Sequence, residues 1–545
     1  MAVSKSSKPR RTSKRTTAGT ITGWRAWAQL FAALLFLAIL GGSALWWFHQ
    51  QGYLLYFGDA QAHLNIARRI VDSRTPGFVQ LGTVWLPVPH LAMLPFVSND
   101  AWWRSGLAGG IPASCAFVIA GAFLFAAARR ALGSGAAGFA VAAVFALNPN
   151  LLYLQSTAMT EPFFFAGLAG LLYFVVLFSQ TGSLWAAVGA ALLSNVASMT
   201  RYEGWFLIPF AGLAIFLSGQ SGRIRAAAVF AVLASLGPLW WLGYNWYNYG
   251  DPLEFYRGPY SAKAIYQRAL DQGMARYPGD HEWDKAWLYF REAAKLCAGS
   301  ALVWLGLAGL IPALWKRAFI PLLLLSLGPF FYVWSMHSSG TPIFVPHLWP
   351  NSYYNTRYGL AALPLLAFAA GAIVAVVPNR FRSLAVPAVI AIAITPWLAH
   401  PDPENWICWK ESEVNSNTRR AWTREAADYL KAHYRQHSGV FTSFGDMTGI
   451  FGQAGIPLRE TLHEGNGPAW LAAATLPELF LFEEWVVAMA GDKVSTAMLR
   501  AGRFGSRYVR VKTIRSKDGP EIEIYRRDRN NEDEDPLYKS SRGEE

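Results

Sequence analysis

Acidic residues are scarce where this chain is most apolar. The first 250 residues hold only Asp59, Asp72, Asp100, Glu161 and Glu203, and no acid falls between Glu292 and Asp402. A carboxylate is expensive in hydrocarbon and is retained there chiefly where it is used, so an acid at the end of an apolar run is a candidate for chemistry. Cysteine is scarce too, with only Cys115, Cys297 and Cys408. Cys297 and Cys408 fall on the same expected side of the chain and are open to pairing, although an odd count at wide spacing favours free thiols. The sequence also lacks a Gly-rich phosphate-cradling loop, a nucleotide-binding repeat, a Ser nucleophile elbow and any cluster with metal-ligand spacing. A soluble nucleotide cosubstrate therefore has no support.

What is present is apolar surface. The 545 residues are 53% hydrophobic and include 24 Trp, and the long runs predict a polytopic membrane protein, mainly α. Eleven spans are expected near Trp27–Phe48, Trp103–Ala128, Gly135–Ala146, Phe163–Phe178, Leu184–Met199, Trp205–Leu217, Ala226–Tyr244, Gly299–Leu314, Ile320–Trp334, Tyr358–Val377 and Leu384–Leu398. The formal charge of +13 is no sign of a nucleic-acid partner. Residues 1–25 contribute Lys5, Lys8, Arg10, Arg11, Lys14, Arg15 and Arg25 without an acid, a tail suited to anionic lipid on the cytoplasmic side. The apolar stretch behind it is long enough to span and lacks a small-residue cleavage site, so it reads as retained.

The turns Arg129/Arg130, Arg223/Arg225, Lys316/Arg317 and Arg380/Arg382 are basic and free of acid, and the positive-inside rule puts them in the cytoplasm. Residues 26–399 then form the membrane domain, with external loops at 49–102, 250–298 and 337–357. The acids come out on the opposite face, as does everything beyond His400. Between 400 and 527 charge returns: a helix over Arg420–Tyr434, strands at Val440–Phe444 and Glu484–Met489, a helix over Val494–Ala501, and a hairpin turning at Asp518-Gly519. This reads as a small extracytoplasmic α/β domain, followed by a polar, disordered tail over 528–545. The expected location is the inner (plasma) membrane.

The most informative loop follows the first span. In Phe57-Gly58-Asp59-Ala60-Gln61-Ala62-His63-Leu64-Asn65-Ile66-Ala67-Arg68-Arg69-Ile70-Val71, the residues Leu64, Ala67 and Val71 make an apolar stripe, with Ile66 and Ile70 beside it. The spacing predicts a short amphipathic helix lying on the membrane surface. Asp59 starts it, where an N-cap is the plain reading, and His63 falls one turn on, on the same face.

An Asp just after the first span, then a surface helix, then Trp85-Leu-Pro-Val-Pro-His90 resembles the first external loop of GT-C-fold glycosyltransferases that use lipid-phosphate sugars. The protein O-mannosyltransferase and lipid A aminoarabinose transferase branches are the most similar, and the resemblance runs over roughly Trp27–Leu398. It implies that Asp59 is the base that activates an acceptor hydroxyl. It further implies that Glu161, in Thr160-Glu161-Pro162, is a second catalytic acid, although a Glu before Pro also suits a helix start. Arg201, Tyr202 and Glu203 form an Arg-x-Glu-Gly turn similar to one in some members; as an exposed pair Arg201 and Glu203 would contribute little to stability. Arg357-Tyr358 ahead of Leu363-Pro364 resembles the family's pattern beside the lipid phosphate, where a planar guanidinium holds two oxygens. Against this stands interfacial snorkelling of Arg357 beside a belt Tyr358. His63 and His90 complete the expected substrate-binding set. Two departures bear on donor and acceptor: Ala60 stands where many members carry a second acid, and Trp85-Leu86 stands where one branch has a Lys.

The resemblance implies a membrane glycosyltransferase, hexosyl or pentosyl, taking sugar from a polyprenyl-phosphate donor to a hydroxyl of an envelope glycan, lipid or protein at the outer face with inversion. Some members need a divalent cation and others do not. The spacing of His63, His90, His337 and His347 defines no site, so no metal or other cofactor is assigned. The rival readings are a transporter or flippase of a lipid-linked substrate, which would favour midplane charges and inverted repeats, and an inactive scaffold.

Overall fold

The structure, a computed structural model, describes residues 23–503, 507–517 and 519–528. The expected basic tail and polar C-terminal tail lie almost wholly outside these residues, as does Asp518 of the expected turn.

The chain opens with α1 (Trp24–Gln50), then runs through α2 (Gly58–Val71), α3 (Val88–Val97) and the short α4 (Asp100–Ser105). α5 (Leu107–Leu132), α6 (Gly135–Ala146), the one-turn α7 (Pro149–Leu154), α8 (Glu161–Thr181), α9 (Leu184–Ser198), α10 (Glu203–Leu217) and α11 (Arg223–Tyr249) follow. The segment after them carries α12 (Glu254–Arg257) and α13 (Ala262–Asp271). α14 (Trp283–Ala298) then meets α15 (Ser300–Trp315) at a 106° bend, ahead of α16 (Phe319–His337), α17 (Leu363–Val376) and α18 (Arg382–Ala399). Side-chain caps fix several starts: Ser134 accepts from the Ala137 N–H and Asn148 from the Leu151 N–H.

Each of the eleven expected spans coincides with a helix, namely α1, α5, α6, α8, α9, α10, α11, α15, α16, α17 and α18. Among the described residues seven helical segments are long and apolar enough to cross a membrane, eight if the bent α14–α15 pair counts as one. The protein is a multi-pass membrane protein. α5 starts four residues later than expected, because a left-handed Gly106 (φ 87°) separates it from α4 and leaves Trp103 in the preceding helix.

Beyond the spans, α19 (Ile407–His433) begins thirteen residues before the expected helix. Charge on Lys410, Glu411 and Glu413 masks an apolar stripe of Ile407, Cys408 and Trp409 that is buried against the membrane helices. Next come β1 (Val440–Thr442), α20 (Thr448–Ala454), β2 (Thr461–Leu462), α21 (Pro468–Thr475), α22 (Pro477–Phe480), β3 (Trp485–Met489), α23 (Lys493–Arg503), β4 (Tyr508–Ile514) and β5 (Ile522–Arg527). The sheet order is β2-β1-β3-β5-β4. β1 lies parallel to both neighbours with Val440 opposite Trp485, and the expected hairpin β4–β5 pairs antiparallel. The two-residue β2 has no sequence signature of its own.

One continuous buried cluster joins Phe57, Leu64, Tyr153 and Leu363 of the membrane part to Trp409, Trp422, Leu430, Trp485 and Ile524. The α/β part is thus packed onto the spans rather than hinged from them. This corrects the expectation for α2. It does not lie free on the membrane surface: Asn65 donates to Thr448 Oγ1 at 2.8 Å, Arg459 pairs with Asp72 at 3.1 Å, and Arg69 sits over the Phe444 ring. Its polar face is covered by the α/β part, and Val71 is the exposed end of the stripe.

Candidate active site

Three of the expected acids sit in the first turn of a helix, at the positive end of its dipole. Asp59 is the second residue of α2, Glu161 opens α8 and Glu203 opens α10. Asp59 is not the N-cap. Phe57 holds that position with no side-chain cap, which leaves the Asp59 carboxylate free to turn outward.

Opposite these acids stands Arg357, at the head of a 3-10 turn (Thr356–Ala362) that leads into α17. Asn355 before it takes a left-handed conformation (φ 53°), which Asn tolerates better than most side chains, and its amide donates to the Pro342 carbonyl. Gly359 lets this turn press against α14; a Cβ there would lie 2.3 Å from the Ala293 carbonyl carbon. The guanidinium is thereby fixed at the level of the helix ends.

Arg357 reaches three carboxylates: Asp59 through Nη2 at 2.5 Å, Glu411 through Nη1 at 3.2 Å and Glu161 through Nε at 3.3 Å. Its backbone N–H also donates to Glu411 at 3.2 Å. Glu161 bridges to the second cation, Arg201, at 3.2 Å, and Arg201 holds Glu203 at 2.8 Å and donates to Thr160 and to the Tyr332 hydroxyl. Tyr332 in turn donates to Glu203. The Tyr358 ring lies 5.1 Å from both guanidinium carbons and stacks on Tyr332. Asp59, Glu161, Arg201, Glu203, Arg357 and Tyr358, spread over 300 residues of sequence, therefore form one network.

Burial divides the network. The Asp59 side chain is 43% exposed, whereas those of Arg357, Glu161 and Glu411 are 6%, 6% and 2% exposed. Asp59 is the most accessible carboxylate of the network. The Arg201–Glu203 pair is 13% and 7% exposed, which overturns its reading as an exposed turn pair. A Cβ on Gly204 would lie 2.4 Å from the Ala197 carbonyl carbon, so α10 can start tight against α9 and bury the pair. Four carboxylates face two guanidiniums here, an excess of two acids if all ionise. Burial pushes the Glu411 pKa up from its ordinary value, with Arg357 opposing it.

Three expected members lie outside the network. His63 and His90 are buried and hydrogen-bonded to each other, Nδ1 to Nε2 at 2.8 Å. Burial, reinforced by Arg201 and Arg357, lowers the His63 pKa to about 3, and burial drives His90 well below its ordinary value. Both are neutral, buried side chains held to each other, outside the ion-pair network. Tyr202 donates to the Val84 carbonyl and stacks on Phe255, which ties the turn to the neighbouring loops. Cys297 and Cys408 are free and buried, with Cys297 donating to the Thr356 carbonyl. Among the described residues no three His, Cys, Asp or Glu converge as metal ligands would.

Sequence reasoning missed Glu411 and Tyr332. Glu411 sits amid Lys410 and Glu413, so nothing in composition separates it from solvated charge; the apolar Ile407, Cys408 and Trp409 just before it were the available signal.

No protein-family model matches the sequence, and no curated protein matches it. Solved structures do. ArnT from Cupriavidus metallidurans bound to undecaprenyl phosphate superposes with a TM-score of 0.53 at 14% identity, over 92% of this chain and 98% of that one. The same protein in the apo state gives 0.54 at 14% identity, over 90% and 98%. The chain has the GT-C fold. At this identity the likeness is one of architecture, and its reach over nearly both whole chains shows that the GT-C arrangement includes the α/β part as well as the spans.

Proposed function

We propose that this protein is a membrane glycosyltransferase that moves a sugar from a polyprenyl-phosphate donor to a hydroxyl of an envelope glycan, lipid or protein, at the extracytoplasmic face of the inner membrane. The observation that carries this reading is the half-exposed Asp59 carboxylate paired with Arg357, whose other two carboxylate partners are buried. An acid and a cation held together at the end of the spans suit a donor whose phosphate lies at the membrane surface.

In the proposed step the acceptor hydroxyl gives its proton to Asp59 and its oxygen forms a bond to the anomeric carbon. The bond from that carbon to the phosphate oxygen breaks, its electron pair leaves with the polyprenyl phosphate, and the configuration inverts through an oxocarbenium-like transition state. Arg357 and Arg201 hold the growing phosphate charge. Arg357 reaches Asp59 through Nη2, so the donor phosphate takes over the guanidinium edge that now faces Asp59 and frees that carboxylate to act as base. Glu161, between the two cations, sets their spacing. The transporter reading is weaker, because Asp59 and Glu161 meet on one guanidinium instead of being strung along a pore.

The test is direct. Purified protein in lipid vesicles, given a labelled polyprenyl-phosphate sugar and an envelope lipid or glycan extract, should transfer label and release polyprenyl phosphate. Movement of intact labelled donor across the vesicle without cleavage would establish the flippase instead.

A further inference from the structure

A cleft of about 500 Å³ opens beside α2, between the end of α1, the end of α4 and the face of α19. Arg104, Arg419, Arg420 and Arg424 line it together with His49, and no Asp or Glu does. Four guanidiniums around one cavity repel each other unless something negative lies between them. Three of the four have a carboxylate at the outer limit of ion-pair distance that does not itself line the cleft: Asp100 is 3.7 Å from Arg104, Asp446 is 3.8 Å from Arg419 and Glu413 is 4.0 Å from Arg420. Arg424 has no hydrogen bond or ion pair among the described residues.

Two of the four cations are held in place. Arg419 is 10% exposed and donates to Gln61 Oε1 at 2.7 Å and to the Tyr56 carbonyl at 2.6 Å, while Arg420 lies over the Tyr56 ring at 3.9 Å and donates to Ser416. Arg104 and Arg424 are exposed at the rim. A fixed floor with exposed cations at its rim is suited to a phosphate, whose oxygens accept from planar guanidinium edges.

The depth of the cleft decides the carrier of that phosphate. His49 is at the last turn of α1, and the exposed Trp46 lies one turn before it on the same helix, as an interfacial aromatic does. Below it the side of α1 presents exposed Leu35 and Ile39, a surface for acyl chains. We infer that this cleft binds the phosphate of an anionic phospholipid in the leaflet on the side of the α/β part. Through Gln61, two residues from Asp59, the bound lipid borders the mouth of the candidate active site. The inference rests on the membrane fold and does not depend on glycosyl transfer.

The full-length protein in neutral detergent is titrated with dihexanoyl phosphatidylglycerol, with the phosphatidylcholine analogue and with inorganic phosphate, binding being read by intrinsic tryptophan fluorescence and by native mass spectrometry. Phosphatidylglycerol should bind saturably, at least tenfold more tightly than either comparison ligand. The double variant R104S/R424S, which alters only rim residues, should bind it at least tenfold more weakly with an unchanged melting temperature, and R104K/R424K should recover most of the affinity. Equal binding of phosphatidylcholine, or undiminished phosphatidylglycerol binding by R104S/R424S, would overturn the site. Inorganic phosphate binding as tightly as the lipid would overturn the lipid as its source.

Discussion

Arg357 Nη2 lies 2.5 Å from the Asp59 carboxylate, joining the start of α2 to the turn that enters α17, 298 positions away. Neither has an obligatory structural role on its own helix: Asp59 caps nothing, and Arg357 does not snorkel, because its guanidinium points inward to carboxylates and is 6% exposed. Removing the Asp59 charge should therefore affect chemistry far more than folding. Asp59→Asn preserves volume and keeps a hydrogen-bond acceptor for Arg357, but the amide cannot take up the acceptor's proton. Turnover in the reconstituted transfer assay should fall roughly a hundredfold to ten-thousandfold, with the melting temperature near wild type because the side chain is 43% exposed. Wild-type turnover by this variant would remove Asp59 from the chemistry.

The positions of Asp59, Glu161, Arg201, Glu203 and Arg357 were legible because a charge at the end of an apolar run stands out. What each touches was not. His63 was expected beside Asp59 on the helix face, yet a partner from α3, His90, turns it into the core, and no local period encodes that meeting. Likewise α19 reads as a soluble helix from Arg420 onward, because its charged residues outnumber the apolar stripe that docks it. The spans were recovered because hydrocarbon permits few alternatives to a helix. The burial of α2 was not, because it depends on Thr448, Arg459 and Phe444, almost 400 residues downstream.

Arg357 also carries a structural load that sequence reasoning did not foresee. Arg357→Ala leaves Glu411 buried without a counter-ion and Glu161 with Arg201 alone, so it should destabilise the protein by about 3–5 kcal/mol as well as weaken donor binding. Adding Glu411→Gln removes the orphaned carboxylate, and the double variant should recover part of the lost stability but none of the activity. Thermal unfolding in detergent, run alongside donor binding, separates the two effects. An R357A protein as stable as wild type would show that the buried carboxylates do not need the guanidinium.

Topology is testable at positions the structure exposes. In the N-terminal half of α19 Glu411, Ser412 and Ser416 are buried and unsuited to labelling, whereas Val414, Asn415 and Asn417 are exposed. Asp428 lies on the exposed side of the same helix. Asp428→Cys, in a background with the three native cysteines replaced, should react with a membrane-impermeant maleimide in intact cells or spheroplasts, whereas a cysteine placed at Lys316 should react only after lysis. The reverse pattern would invert the orientation.

The paired histidines predict an acid-side loss of stability. A histidine whose folded pKa lies below its unfolded value near 6.5 contributes nothing adverse above pH 6.5, where both states are neutral. Below that pH the unfolded chain binds a proton that the folded one refuses, so stability falls as pH drops from 6.5 towards the folded value, at about 1.4 kcal/mol per pH unit for each such group. His63, held near 3 by burial, behaves this way across the accessible range, as does His463, also near 3, and His90 is depressed in the same direction. The melting temperature should decline between pH 6.5 and pH 5, ahead of the range in which ordinary carboxylates protonate. His90→Gln keeps an amide within reach of His63 Nδ1 while removing one titrating group, and should flatten that decline by about a third, since two of the three buried imidazoles remain. A variant whose melting curve follows pH as steeply as wild type would mean that His90 accepts a proton in the folded protein, and that the pair is open to solvent instead of sealed beneath the site.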